Sequence, residues 1–256
     1  MTITPTSTAA AACAAPIIKL PHRFLFIASI GNSKPIHYRQ TRHSAGHLLL
    51  DALRPLLRAR VPYSGPQARP VFYETYESPA MMNVSGGKVI PALGKWMDQC
   101  RKSNLLAERG DLSYSSFQPT GHEAPEWERR GTDIRNLRDF KPTLVILHDE
   151  LEAPLGKVKV RRGGPDEASL RGHNGLQDIF NVLRRKKYYP AKSAKSLRVM
   201  RVGVGIGRPK ERTSDAVSSY VLGKMNQTEL NAIAAAAGPV MDLLADEFYR
   251  SDDELM

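Results

Sequence analysis

The sequence predicts an α/β protein: a three-layer α/β/α sandwich around a mixed central sheet, in a single domain. Short apolar runs such as Phe24–Ile30 (FLFIASI) and Thr143–His148 (TLVILH) have the length and composition of buried strands. They alternate with segments that carry apolar residues at helical spacing, and strands alternating with helices give a sheet layered between helices. The chain has 256 residues, 41% hydrophobic and 25% charged, which is ordinary globular composition and enough length for one large core.

Each element has a local reason. The strand at 24–30 ends at Gly31. Ser44–Arg60 then places Leu48, Leu49, Leu53, Leu56 and Leu57 on one helical face. Val71–Tyr76 reads as a strand stopped by Ser78-Pro79. Val89–Met97 reads as a helix, with Pro91 near its first turns, where proline is tolerated. Residues 98–142 mix Arg, Glu, Gly, Pro and Ser without a sustained period, and are expected to be an exposed, flexible insertion. Thr143–His148 is the clearest buried strand. Lys157–Arg161 alternates valine with basic residues, as a half-exposed strand does. Gly163–Gly172 is a loop, and Asn174–Arg185 a helix with Leu176, Ile179, Phe180 and Leu183 on one side. Leu197–Ile206 is a strand, and Gln227–Tyr249 an Ala-rich amphipathic helix. The predicted domain is therefore 23–97 joined to 143–250.

Residues 1–20 contain no acid and no Arg, and lack the basic start and long apolar run of a secretory signal. Their hydroxyl-rich composition fits a transit peptide, whereas the missing Arg does not. Residues 1–22 are read as a disordered or targeting extension. No run of about 18 apolar residues occurs, which excludes a transmembrane helix. Cys13 and Cys100 are the only cysteines, so a disulfide framework and a cysteine-based zinc site are excluded.

Charge is the informative part of the composition. The net charge is +11, and residues 157–212 alone hold sixteen Lys/Arg against four Asp/Glu. A basic stretch of this kind is the usual footprint of a polyanion, most often nucleic acid or a membrane surface, with nucleic acid favoured.

Several chemistries lack their motifs. There is no G-x-G-x-x-G, no P-loop and no G-x-S-x-G elbow, and no histidine pair has metal-ligand spacing. What remains is a set of amide, imidazole and carboxylate side chains at strand ends and helix starts: Asn32, His43, Asn83, Asp149, His173 and Asn174. Ligand sites of α/β sheets gather at strand ends. Taken singly, the asparagines and Asp149 also read as helix caps or turn residues.

Together these residues resemble a known family. FLFIASIGN (24–32), YRQTRHSAG (38–46), MMNVSG (81–86), LVILHDELEAPLGKVKV (144–160), RGHNGLQDIFNVL (171–183), RVGVGIGRP (201–209) and VLGKM (221–225) resemble the bacterial-type peptidyl-tRNA hydrolases, in the family's order. The resemblance implies a monomeric esterase that frees peptides from tRNA without cofactor or metal. It implies that His43 is the catalytic histidine and that Asp149 orients it. Asn32, Asn83 and Asn174 would position substrate and water, and Tyr38 would lie near the tRNA 3′ end. Met82 and His173 are assigned to substrate binding. Arg161, Arg162, Arg171, Arg184, Arg185, Lys186 and Lys187, from the basic segment, are expected to meet tRNA phosphates around the acceptor stem. The expected partner is peptidyl-tRNA and not a membrane.

The chain departs from the family at three places. Asn32-Ser33-Lys34 replaces Asn-Pro-Gly, His43-Ser44-Ala45-Gly46 replaces His-Asn-Ala-Gly, and the substrate-gating loop at 163–171 is longer and less glycine-rich. The Ala/Thr-rich start and the 98–142 insertion point to a eukaryotic, organellar member; the expected location is mitochondrial or cytoplasmic and not secreted, with the mitochondrion favoured. The rival reading is a non-enzymatic RNA-binding factor on the same fold, of the organellar intron-splicing type.

Overall fold

A computed structural model of the chain describes residues 23–60, 72–108, 141–166, 169–170, 172–190 and 197–250. The expected extension at 1–22, residues 109–140 of the expected insertion, and Arg171 lie outside the described residues.

Five strands form one sheet: β1 (Phe24–Ser29), β2 (Phe72–Glu77), β3 (Pro142–Glu150), β4 (Val158–Arg162) and β5 (Arg198–Gly205). Their order is β2-β1-β3-β5-β4. β1 pairs in parallel with β2 and β3, β3 pairs in parallel with β5, and β4 runs antiparallel along β5 at the edge. The sheet is mixed, as expected. Every residue of β1 and β3 is buried. A strand covered on both faces has no solvent side, which is why these two read as unbroken apolar runs.

Side-chain alternation along the strands then feeds two cores. Leu25, Ile27, Val145 and Leu147 pack with α1 (Ala45–Arg60) and with two C-terminal helices, Gln227–Ala235 and Ala237–Tyr249. Phe26, Ala28, Leu144 and Ile146 pack on the other face, with α2 (Gly86–Glu108) and α3 (Asn174–Arg185). The result is three layers.

Some element boundaries differ from the sequence expectation, for physical reasons. In α1 it is Leu50, not Leu56, that completes the buried stripe with Leu49, Leu53 and Leu57; Leu56 is exposed. α2 starts before Val89 and runs on to Glu108, so the first residues of the expected insertion continue a helix and Pro91 lies inside it. Ser214–Leu222 forms α4, which the sequence did not reveal because none of its side chains is fully buried. The predicted C-terminal helix is two: α5 (Gln227–Ala235), closed at its start by an Asn226/Glu229 capping box, and α6 (Ala237–Tyr249). Pro239 has no N–H for a continuous helix but suits the first turn of a new one.

Register creates the functional crevice. Ser29 is the last residue of β1 and pairs with Leu147, whereas β3 continues through His148, Asp149 and Glu150 alongside β5. The end of β3 thus has no neighbour on the β1 side. The start of α1 fills that space, and it fits only because Gly46 has no side chain. A Cβ there would lie 2.4 Å from the Leu147 carbonyl oxygen and 2.7 Å from that of Ile30.

Gly46→Ala is therefore expected to destabilise the fold by about 1–3 kcal/mol. Urea unfolding should show a lower midpoint with an unchanged slope; an unchanged midpoint would mean that α1 has room to withdraw.

Candidate active site

Alternation along β3 also sorts the residues at its end. Asp149 shares the face of Val145 and Leu147, toward α1, and His148 shares the face of Leu144 and Ile146, toward α3. His43 meets Asp149 from the single 3-10 turn Arg42–Ser44 that precedes α1. Its Nδ1–H donates to both Asp149 oxygens, each at 3.1 Å. A carboxylate accepts only, so this contact fixes the proton on Nδ1 and leaves Nε2 as the basic atom. The His43 side chain is 24% exposed, whereas that of Asp149 is only 5% exposed.

Three attachments hold the turn. Arg42 donates through Nε and Nη2 to the Glu229 carboxylate at 2.7 and 3.2 Å, and its guanidinium lies 4.3 Å from the centre of the Tyr220 ring. Its backbone N–H donates to Gly223 O. Thr41 forms a bridge with Lys224. With Arg42 turned toward the C-terminal helices, the next side chain, His43, faces β3.

Ser44 ties the same turn to Asn32. Its buried Oγ accepts from the Asn32 backbone N–H at 3.0 Å and lies 3.1 Å from Asn32 O and 2.9 Å from Tyr38 O. Tyr38 O also accepts from the Thr41 N–H and hydroxyl, so the Ser44 hydroxyl lies between two carbonyl acceptors. Both backbone groups of Asn32 thus lie against one hydroxyl. Asn32 Oδ1 accepts from the Met82 N–H at 2.9 Å, so its amide NH₂ is the end left for a substrate.

Asn83 and Asn174 come from different elements and are brought together by their neighbours. Asn83 lies in the 3-10 turn Met82–Val84, and Asn174 opens α3. At Gly175 a Cβ would lie 2.6 Å from Met82 Sδ, so only glycine lets the two turns touch. Both asparagines are exposed beside that contact. Asp178 of α3 secures it, accepting from the Gly86 N–H at 2.7 Å. His173 caps α3, its Nδ1 accepting from the Leu176 N–H at 3.2 Å. The His173 Nε2 lies 3.4 Å from Asp149 Oδ1.

The structure corrects parts of the sequence reading. Met82 is 1% exposed and its side chain belongs to the core and not to an open binding surface; its backbone N–H holds Asn32. Arg161 pairs with Glu150 at 2.6 Å, Arg162 with Glu247 at 3.1 Å, and Arg184 lies 3.5 Å from Asp166. These three cations of the basic segment thus lie against carboxylates of the fold. Arg185, Lys186 and Lys187 are exposed at the carboxyl end of α3. Twelve helical residues span about 18 Å, so that cluster stands well away from His173. Tyr38 is half-buried, with its ring centre 4.3 Å from that of His37. The local roles of Arg42 and Ser44 were missed because their partners come from far along the chain or through backbone atoms, which no spacing rule reveals.

The electrostatics follow from these contacts. Burial works against a charged His43, but the Asp149 charge and hydrogen bond outweigh it and raise its pKa above the ordinary 6.5. Burial also works against the Asp149 anion, yet His43 and His173 hold its carboxyl far below the usual carboxylate range. His148 is pushed down to about 4, first by burial and then by His173. His47, one helical turn beyond His43, is likewise pushed down to about 4 by burial; its Nδ1 is 2.8 Å from the Ser29 hydroxyl. Among the described residues, no group of three or more His, Cys, Asp or Glu side chains is arranged to hold a metal ion.

Similarity to known proteins adds to this geometry. A family model described as peptidyl-tRNA hydrolase matches residues 129–255. The peptidyl-tRNA hydrolase of Lawsonia intracellularis is 32% identical over 228 residues, which cover 89% of this chain and 88% of that protein. A probable peptidyl-tRNA hydrolase of Schizosaccharomyces pombe is 41% identical over 93 residues, 36% of this chain, and the match spans only 38% of that protein's length. With peptidyl-tRNA hydrolase 1 of Corynebacterium glutamicum the identity is 36% over 118 residues, 44% of this chain and 57% of that one. Among solved structures, peptidyl-tRNA hydrolase from Acinetobacter baumannii superposes with a TM-score of 0.47 at 19% identity, over 90% of each chain.

The two depressed histidines set a pH dependence of stability. Unfolded, both protonate near pH 6.5; folded, only near pH 4. The stability present above pH 6.5 is lost as pH falls toward 4, by up to about 3 kcal/mol for each histidine. His43, whose pKa is raised, works in the opposite sense, its contribution being lost as pH rises through its folded value. The urea midpoint is expected to fall between pH 7 and pH 4.5. A flat profile would mean that His47 or His148 is already charged in the fold.

Proposed function

Because the chain belongs to the peptidyl-tRNA hydrolase family, we propose that it hydrolyses the ester between a peptide and the 3′-terminal ribose of tRNA, using water activated by the His43–Asp149 pair. The observation that carries this mechanism is the hydrogen bonding of His43: Nδ1 is spent on a buried carboxylate, and Nε2 makes no hydrogen bond among the described residues. Neutral Nε2 accepts the proton of a water as that water attacks the ester carbonyl. Asp149 holds the tautomer and stabilises the imidazolium that forms, as the acid of a triad does, with water in place of a serine. The attack places negative charge on the former carbonyl oxygen. The amide groups of Asn32, Asn83 and Asn174 are the neutral donors arranged around the crevice for that charge. When the ester breaks, the imidazolium returns its proton to the departing ribose hydroxyl.

The exposed Arg185, Lys186 and Lys187 supply phosphate contacts, which hold RNA without reading sequence and suit an enzyme that accepts many tRNAs. Arg161, Arg162 and Arg184 contribute less, because each already lies against a carboxylate of the fold. The acid-free, hydroxyl-rich residues 1–20 support a mitochondrial address, and the family resemblance supports action as a monomer. No described helix is long and apolar enough to cross a membrane.

The test is release of peptide from N-acylated aminoacyl-tRNA by the wild type and by His43→Ala, with tRNA binding measured alongside. The variant is expected to lose about 10²–10⁴-fold in turnover while keeping its affinity for tRNA. A wild type that binds RNA tightly without turnover would replace the esterase by an RNA-binding factor. Equal turnover in both proteins would remove His43 from the chemistry.

A further inference from the structure

His173 carries two constraints at once. Its Nδ1 accepts the Leu176 N–H at 3.2 Å, as the cap of α3. An acceptor nitrogen carries no proton, so the imidazole is neutral and its proton sits on Nε2. That Nε2 is buried and meets no well-aligned acceptor among the described residues. The carboxylate oxygen facing it is Asp149 Oδ1, at 3.4 Å. A buried N–H without an acceptor is costly, and a buried carboxylate needs donors, so a small rotation that joins them serves both. The ring is steadied on its other side by His148, which meets it edge-on with centres 4.9 Å apart.

We propose that His173 is a positioning residue, whose cap bond locks the tautomer that donates Nε2–H to Asp149 and so makes that carboxylate serve two imidazoles. His43 is the closer donor, at 3.1 Å to both oxygens, and His173 the longer and weaker one. The second donor has two effects. It keeps the Asp149 carboxylate from turning away from His43, and it draws off part of the charge that would otherwise hold a proton on His43. The base therefore stays oriented without becoming too reluctant to release its proton.

The charged and titratable groups around this cluster are few. His43 faces Asp149 from β3 and the His173 ring, whose centre is 6.0 Å from its own. His173 faces Asp149 and His148. The nearest other charges are occupied, Glu150 with Arg161 and Arg42 with Glu229. A change at position 173 therefore reaches His43 through Asp149.

His173→Ser separates the two roles. Serine is among the best helix N-caps and can accept the Leu176 N–H, but it has no donor that reaches Asp149. His173→Asn, also a good cap and one bond shorter toward Asp149, is the second variant should the first fail to fold. The readout is the His43 pKa, followed by NMR of its ring proton, together with urea unfolding. With the cap kept and stability near wild type, the His43 pKa is expected to rise by ~0.5 unit or more, the scale of a weak charge-assisted hydrogen bond. The acid limb of the rate profile should move up with it. An unchanged or lower His43 pKa in a folded variant would overturn the proposal and reduce His173 to a cap. The effect on rate rests on the hydrolase reading, whereas the NMR titration does not: an inactive wild type would fail that reading and leave the titration to decide the role of His173.

Discussion

A carboxylate buried at the end of a central strand has to be compensated, and the rest of the site is arranged around that need. Asp149 is 4% exposed and remains ionised. Left alone, such a charge costs several kcal/mol or takes up a proton. Here imidazoles compensate it instead of a guanidinium. An arginine would neutralise Asp149 permanently, as Arg161 does for Glu150 in the next position. A histidine gives up its proton near neutral pH, so the pair can cycle. The two acids in sequence thus differ by partner: Glu150 faces a fixed cation, and Asp149 faces imidazoles that can release a proton.

The compensation works only because the backbone delivers the histidine to the right place. β3 outruns β1, so Asp149 projects into a gap that no strand fills. Gly46 lets α1 start against the strand carbonyls, Arg42 is drawn off to Glu229, and Ser44 binds the backbone of Asn32. The same hydroxyl stands where the family usually has an asparagine, beside a loop that lacks the family's Pro-Gly. In this chain the loop is held by Ser44 from one side and by the Met82 N–H from the other. The site is therefore a meeting of short turns on a rigid sheet, with precision supplied by backbone hydrogen bonds.

Much of this was legible in the sequence where burial is two-sided or the motif is local. The unbroken apolar runs of β1 and β3 announced buried strands, and all four residues of the stripe expected for α3 are buried, joined by Gly175 and Val182. His43 and Asp149, 106 residues apart, were paired by resemblance, and no spacing rule connects them. Charge was the weakest guide. A count of Lys/Arg cannot distinguish a cation facing solvent from one paired across the fold, and Arg161 and Arg162 are of the second kind. Met82 misled for a related reason: it sits beside the exposed Asn83, but a 3-10 turn sends neighbouring side chains in different directions. α4 escaped because none of its side chains is fully buried, so it has no clear apolar stripe.

The central claim is that Asp149 sets the basicity and orientation of His43. The most direct measurement is the pH dependence of kcat/KM for wild type and Asp149→Asn on the same N-acylated aminoacyl-tRNA. In the wild type the rate should rise with pH through a midpoint above 6.5, the direction in which Asp149 moves His43. In the variant the burial of His43 remains while the opposing charge is gone. The midpoint should therefore fall below 6.5, and the plateau should drop by about 10²-fold or more. An unchanged midpoint and plateau would contradict the account, because Asp149 would then be a buried charge that the chemistry does not use.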